Sequence, residues 1–265
     1  MTELTIPELK ETAYSILCDV VDFIEQHNLA YFLVCGTALG AIRHNGFIPW
    51  DDDIDIAMPR PDYERFLQLY HSDSYYLVDS RSGKKYPYAF AKVCDRRTVL
   101  IEHITKPFPL GVYIDVFPID GIPSSASEQK RYLKLIDWDL RMLSWKRIST
   151  EKKLDRVHKI IQFIAKSVLA PFPVSVFVRK LDNDLRRYSY DDCEYVGHLA
   201  TKAYWGNDLK PKGVFYPPIK HLFEDKELNV PGNFDEYLKL EYGDYMKLPP
   251  TEKQIPHHDF VAYWK

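Results

Sequence analysis

The chain has 265 residues, 46% of them hydrophobic and 28% charged, with a net charge of −3. That is globular composition, long enough to bury a sizeable core, and the slight acidity argues against a nucleic-acid binder, which carries a basic excess. No basic leader followed by an apolar segment opens the chain, and no uninterrupted run reaches the roughly 18 apolar residues of a membrane span. Its four cysteines, Cys18, Cys35, Cys94 and Cys193, form no C-x-x-C pair, so the expectation is reduced thiols in the cytoplasm and no zinc knuckle.

Residues 7–28 read as a helix. Pro7 and Glu8 suit its first turn, and Leu9, Ala13, Ile16, Val20, Phe23 and Ile24 repeat at spacings of three and four. A short apolar strand, AYFLVCG, ends at Gly36, and TALGAIRHNG follows as a short helix closed by Asn45-Gly46. DIDIAM alternates as a strand, Pro61 opens a helix at PDYERFLQLY, and YAFAKVCD and TVLIEHI read as strands turning at Asp95-Arg96-Arg97. GVYIDVFPID is a further strand, expected to end at Pro118.

From about Ser125 the pattern turns helical: SEQKRYLKLIDWDLRMLSW, EKKLDRVHKIIQFIAKSVLA and PVSVFVRKLDNDLRRYS. The apolar stretch IIQFIAKSVLAPFPVSVFV, broken by Lys166, Pro171 and Pro173, suits a pair of buried helices or contact with a membrane surface. After about Asp191 the chain is mixed and aromatic, with one helix at NFDEYLKLEY, and is expected to pack back on the α/β first part.

The chemistry concentrates in FIPWDDDIDIAMPR, where Asp51, Asp52, Asp53 and Asp55 fall within five residues. On a strand, residues two apart face the same side, about 6.6 Å apart. Asp53 and Asp55 would therefore project together while Ile54 and Ile56 face the core. At roughly 6 Å and an effective dielectric near 20, two carboxylates repel by about 3 kcal/mol. Either one of them holds a proton, or divalent cations sit between them; oxygen ligands favour magnesium or manganese. The bland alternative is a solvated acidic turn. Asp51 and Asp52, ahead of the strand, would orient the loop or the ligands. Upstream, Gly36 and Thr37 at a strand-to-helix turn offer backbone N–H groups and a hydroxyl to a phosphate.

This order, a strand, a Gly-Thr turn, a short helix and then a D-x-D strand, resembles the nucleotidyltransferase superfamily. That superfamily usually takes a third carboxylate from a later strand. Asp115, the lone charge in GVYIDVF, fits, and Asp120 is a weaker candidate. The segments CGTALGAIRHNGFIPWDDDIDIAMPRPDYERF, YAFAKVCDRRT, GVYIDVFPIDGIP and YLKLEYGDYMKLPPTEKQIPHH are together similar to the LicD family, the phosphocholine transferases related to the fukutin group.

The resemblance implies an α+β fold: a nucleotidyltransferase-like mixed sheet with flanking helices, a helical middle and a C-terminal segment packing back. Residues 1–125 would form the catalytic core and 126–265 would complete the site. It implies transfer of phosphocholine, or a similar phospho-substituent, from a CDP-activated donor such as CDP-choline. The acceptor would be a sugar hydroxyl of a lipopolysaccharide, teichoic-acid or lipid-linked glycan precursor, and CMP would be released. Asp53, Asp55 and Asp115 would be catalytic and hold two magnesium or manganese ions. Gly36, Thr37, Arg43, His44 and Lys92 are the candidates for phosphate contact, although Arg43 and His44 could equally be a solvated helix end. His257 and His258 could close over the site, and Trp50, Tyr113, Tyr204 and Trp205 could offer aromatic faces to a quaternary ammonium. A D-x-D glycosyltransferase and a non-catalytic binding protein are the alternatives.

Overall fold

In the computed structural model, which describes residues 1–102, 108–147, 167–201, 209–255 and 260–265, the chain begins with a short strand, β1 (Thr2–Glu3), and helix α1 (Ile6–Gln26). Thr5 and Glu8 form a reciprocal cap: Glu8 N–H donates to Thr5 Oγ1, and Thr5 N–H donates to Glu8 Oε2 at 2.8 Å. The expected apolar face is buried, with Ile16, Leu17, Val20 and Ile24 inaccessible. There follow β2 (Phe32–Leu33), α2 (Cys35–His44), β3 (Asp55–Pro59), α3 (Arg60–Leu69), β4 (Tyr75–Val78), β5 (Ala91–Asp95), β6 (Thr98–Glu102) and β7 (Tyr113–Ile122). The later elements are α4 (Ala126–Arg147), α5 (Val174–Leu185), β8 (Tyr195–Gly197), β9 (Lys210–Pro211), β10 (Ile219–Phe223), β11 (Lys226–Val230), α6 (Phe234–Tyr242) and β12 (Phe260–Trp264). The helix expected over EKKLDRVHKIIQFIAKSVLA falls largely outside the described residues.

The fold is α+β. Its central sheet runs β2-β3-β7-β5-β4, and β8 and β9 extend it from the far end of β7. Only β3 and β7 are parallel among these described pairs. That parallel register sets Asp55 opposite Asp115, and the antiparallel register of β5 on β7 sets Lys92 opposite the same Asp115. Three charged residues thus form one row across three strands. A smaller sheet, β1-β12-β6, joins the two ends of the chain, and β10 with β11 makes a separate hairpin. No helix among the described residues is long and apolar enough to cross a membrane.

Three details differ from the sequence expectation. Strand β3 begins at Asp55 rather than Asp53, so Asp53 belongs to the segment leading into it. The turn at Asp95–Arg97 joins strands of different sheets, because β6 pairs with β12 and not with β5. Pro118 lies inside β7 rather than at its end. Asp115 N–H donates to Ile54 O on the β3 side, and alternation turns the ring nitrogen of Pro118 to the opposite side. There β5 stops opposite Val116 and β8 starts opposite Asp120. The missing N–H falls in the gap between two partners and removes no ladder hydrogen bond.

Asp120 is structural. Arg60 grips it with two bonds, Nε to Oδ1 at 2.6 Å and Nη2 to Oδ2 at 2.7 Å, and reaches Asp182 of α5 at 3.1 Å. This buried cluster ties α3, β7 and α5 together. Asp120→Ala would leave Arg60 buried without its main partner. The expected cost is about 3–5 kcal/mol, read as a lower midpoint in urea unfolding; a loss under about 1 kcal/mol would contradict this role.

Candidate active site

Strand alternation from Ile54 onward sends Ile54 and Ile56 into the core, both fully buried, and turns Asp55 to the opposite face at the mouth of the sheet. Three bonds fix the start of β3. Asp55 N–H donates to Thr37 Oγ1 at 2.8 Å, Val34 N–H to Asp55 O at 3.2 Å, and Asp115 N–H to Ile54 O at 2.9 Å. The Thr37 oxygen therefore fastens α2 to β3 as a hydrogen-bond acceptor, which leaves its hydroxyl proton to donate.

Asp51, Asp52 and Asp53 each bring one carboxylate oxygen to within 4.8 Å of the others. Asp52 is buried, and Asp51 and Asp53 are half-buried. Burial pushes the Asp55 carboxyl well above the ordinary carboxylate range, and the charges of Asp53, Asp115 and Asp51 push it further; Lys92 opposes them. Among the described residues the close-set triad is Asp51–Asp52–Asp53 rather than the expected Asp53, Asp55 and Asp115; Asp55 lies near enough to Asp53, Asp115 and Asp51 to feel their charges. Asp51 and Asp52 stand closer to the cluster than their position ahead of a strand suggested. Every donor in the set is a carboxylate oxygen, the ligand chemistry of a hard divalent cation rather than zinc.

Helix α2 starts against this cluster. Its N-cap, Val34, has no side-chain cap, and Cys35 adopts a left-handed backbone with φ +51°. A Cβ on Gly36 would stand 2.6 Å from Asp51 Oδ2, so only glycine lets that carboxylate lie against the first turn. The carboxylate there is favoured by the helix dipole.

Behind α2 lies a buried polar group from the last third of the chain, which sequence reading missed. Cys35 N–H donates to Tyr237 OH at 3.1 Å, and Cys35 Sγ lies 3.6 Å from His198 Nε2. Lys210 pairs with Glu241 at 2.5 Å, both side chains being fully inaccessible, and its ammonium lies 5.1 Å from the Tyr237 ring centre. Tyr237 and Glu241 are four apart on α6, hence on one face. That spacing within YLKLEY was the available signal. Burial, with Lys210 nearby, lowers the His198 pKa to about 3.

Lys92 is buried, with Nζ 2.6 Å from Asp115 Oδ1. Arg43 and His44 sit at the other end of α2 and bond each other at 2.9 Å, and Arg43 Nη1 donates to Tyr245 O at 2.8 Å. Burial first, and then the Arg43 charge, lowers the His44 pKa. Trp50 packs edge-on against His44, and Tyr113 packs on Lys92. Tyr204, Trp205, His257 and His258 lie outside the described residues.

A mixed sheet whose parallel pair presents carboxylates beside the start of a short helix is the nucleotidyltransferase arrangement. The model of the LicD/FKTN/FKRP nucleotidyltransferase domain matches residues 28–171. Lipopolysaccharide cholinephosphotransferase LicD of Haemophilus influenzae is 32% identical over 274 residues, covering 99% of each chain. An uncharacterized protein of Rickettsia typhi is 39% identical over 56 residues, 21% of this chain and 18% of that one. Human ribitol 5-phosphate transferase FKRP is 37% identical over 73 residues, 28% of this chain and 14% of its own. The chain belongs to the LicD family, and it is a transferase.

The buried histidine makes stability depend on pH. An unfolded histidine takes up its proton near pH 6.5, whereas folded His198 resists it until about pH 3. The unfolded state therefore binds more protons below pH 6.5, and stability is lost as pH falls through that range. By pH 5 the loss should be about 2 kcal/mol. His198→Gln should flatten the melting temperature between pH 6.5 and 5; an unchanged slope would contradict the assignment.

Proposed function

We propose that the chain transfers phosphocholine, or a similar phospho-substituent, from a CDP-activated donor to a sugar hydroxyl of a glycan precursor, releasing CMP. The observation that carries this reading is the row Asp55–Asp115–Lys92 registered across β3, β7 and β5 beside the start of α2. It occurs in a chain similar along its length to a lipopolysaccharide cholinephosphotransferase. Family membership favours this reading over a D-x-D glycosyltransferase or a non-catalytic binding protein.

The acceptor oxygen attacks the phosphorus that bears the substituent, the bond from that phosphorus to the CMP oxygen breaks, and the hydroxyl proton is released. Asp53, Asp55 and Asp115 would hold two magnesium or manganese ions. When bound, such ions neutralise phosphate charge and make an attacking hydroxyl more acidic. The chain's own residues supply position. The N–H groups of Gly36 and Thr37 are offered to donor phosphate at the start of α2. Tyr237 holds that first turn by accepting from Cys35 N–H, and Asp51 lies against it at Gly36. Arg43 and His44 stand about 10 Å further along the helix and suit a more distant part of the bound substrates. Burial keeps water from competing and strengthens each of these interactions.

The proposed setting is the cytoplasmic face of a membrane, with a lipid-linked or nucleotide-linked glycan precursor as acceptor. The four free thiols suit a reducing compartment. The exposed apolar side chains of Trp138, Val168, Phe172 and Val176 suit contact with a lipid surface.

Purified protein incubated with CDP-choline, CDP-ethanolamine or CDP-ribitol, a sugar acceptor and magnesium should release CMP, with CDP-choline the best donor. EDTA should abolish release, and full turnover in excess EDTA would overturn the metal-dependent reading. Asp53→Asn and Asp55→Asn should each lower CMP release by about two orders of magnitude or more. Their metal-free melting temperatures should be equal or higher, because one repelling charge is gone. Near-normal turnover in Asp55→Asn, or failure through unfolding alone, would make these aspartates structural.

A further inference from the structure

Lys92 is an ammonium in an unusual place. Its side chain is 2% exposed, and it is the third member of the row that begins with Asp55 and Asp115. Its Nζ lies 2.6 Å from Asp115 Oδ1. Three rings enclose the same head group, with centres 3.4 Å (Tyr113), 4.7 Å (Tyr88) and 5.3 Å (Phe90) away. The pattern of the strands builds this enclosure. Tyr113 stands two residues before Asp115 on β7 and so shares its face, and Phe90, in the bend just ahead of β5, brings its ring to the same ammonium. A cation buried against aromatic faces and one carboxylate is held firmly, since both kinds of contact strengthen away from water.

We infer that Lys92 is a resident counter-cation that sets the affinity of the carboxylate row for divalent ions. It holds Asp115 and balances the row when no metal is present, and its charge opposes any free ion that the row takes up. The inference rests on the metal-dependent reading above. It adds that the row binds a free ion weakly and takes it up with the donor, whose pyrophosphate offsets the lysine's charge.

The test is calorimetric titration with Mn2+ alone, with no donor present, on wild type, Lys92→Met, Lys92→Gln and Asp55→Asn, with circular dichroism to confirm folding. Removing the lysine charge should tighten Mn2+ binding by about tenfold or more, and the rise in melting temperature on adding Mn2+ should be larger than in wild type. Asp55→Asn should abolish the binding, which marks the signal as belonging to this row. If wild type binds Mn2+ through Asp55 and the folded Lys92 variants bind no tighter, the inference fails and the metal-dependent reading stands. If neither wild type nor the Lys92 variants bind Mn2+, the inference fails, and the metal-dependent reading is decided by CMP release in EDTA with the donor present. Should a Lys92 variant unfold without metal, recovery of cooperative melting in Mn2+ supports the inference, and failure to recover overturns it.

Discussion

Mutual repulsion among carboxylates is the constraint around which the rest of the site is arranged. Asp51, Asp52, Asp53, Asp55 and Asp115 converge at one end of a sheet, and Asp55 is buried among its neighbours. In open water such a cluster would disperse. Here strand register fixes the backbone of Asp55 and Asp115, and the missing side chain of Gly36 leaves room for the Asp51 carboxylate. A fold that holds like charges together at a cost of several kcal/mol keeps an arrangement whose value lies in what it binds.

The scaffold supplies that rigidity from distant parts of the chain. Parallel pairing of β3 with β7 makes Asp55 and Asp115 neighbours although 60 residues separate them. Lys92 arrives from β5 on the other side of β7. The last third of the chain braces α2 through Tyr237, His198 and the Lys210–Glu241 pair. The Arg60 cluster secures α3 and α5 to β7. Site geometry thus depends on segments that a reading of the first 125 residues alone would leave out.

What was legible in the sequence was local. The alternation of aspartates with isoleucines, the short helix ahead of them and the lone charge in GVYIDVF each follow from spacing, and strand register sets Asp55 opposite Asp115, while the tightest carboxylate group is Asp51–Asp52–Asp53. Long-range pairing was not legible. Asp95–Arg97 reads as a hairpin turn, yet β6 leaves for another sheet because β12 pairs with it. Pro118 reads as a strand end because its tolerance depends on where two other strands stop. Lys92 could be read as facing ligands or solvent, and only strand register puts it on Asp115. His198 and Lys210 carry no sequence signal, because a buried polar pair is defined by its partner.

The central claim is that Asp53, Asp55 and Asp115 together hold a divalent cation beside the start of α2. Crystals grown with Mn2+ and a cytidine diphosphate donor, measured for manganese anomalous scattering, test it most directly. The account predicts an anomalous peak shared by Asp53, Asp55 and Asp115, with donor phosphate between that peak and the first turn of α2. A peak confined to Asp51 and Asp52, or donor phosphate bound at full occupancy with no anomalous peak at the row, would contradict it.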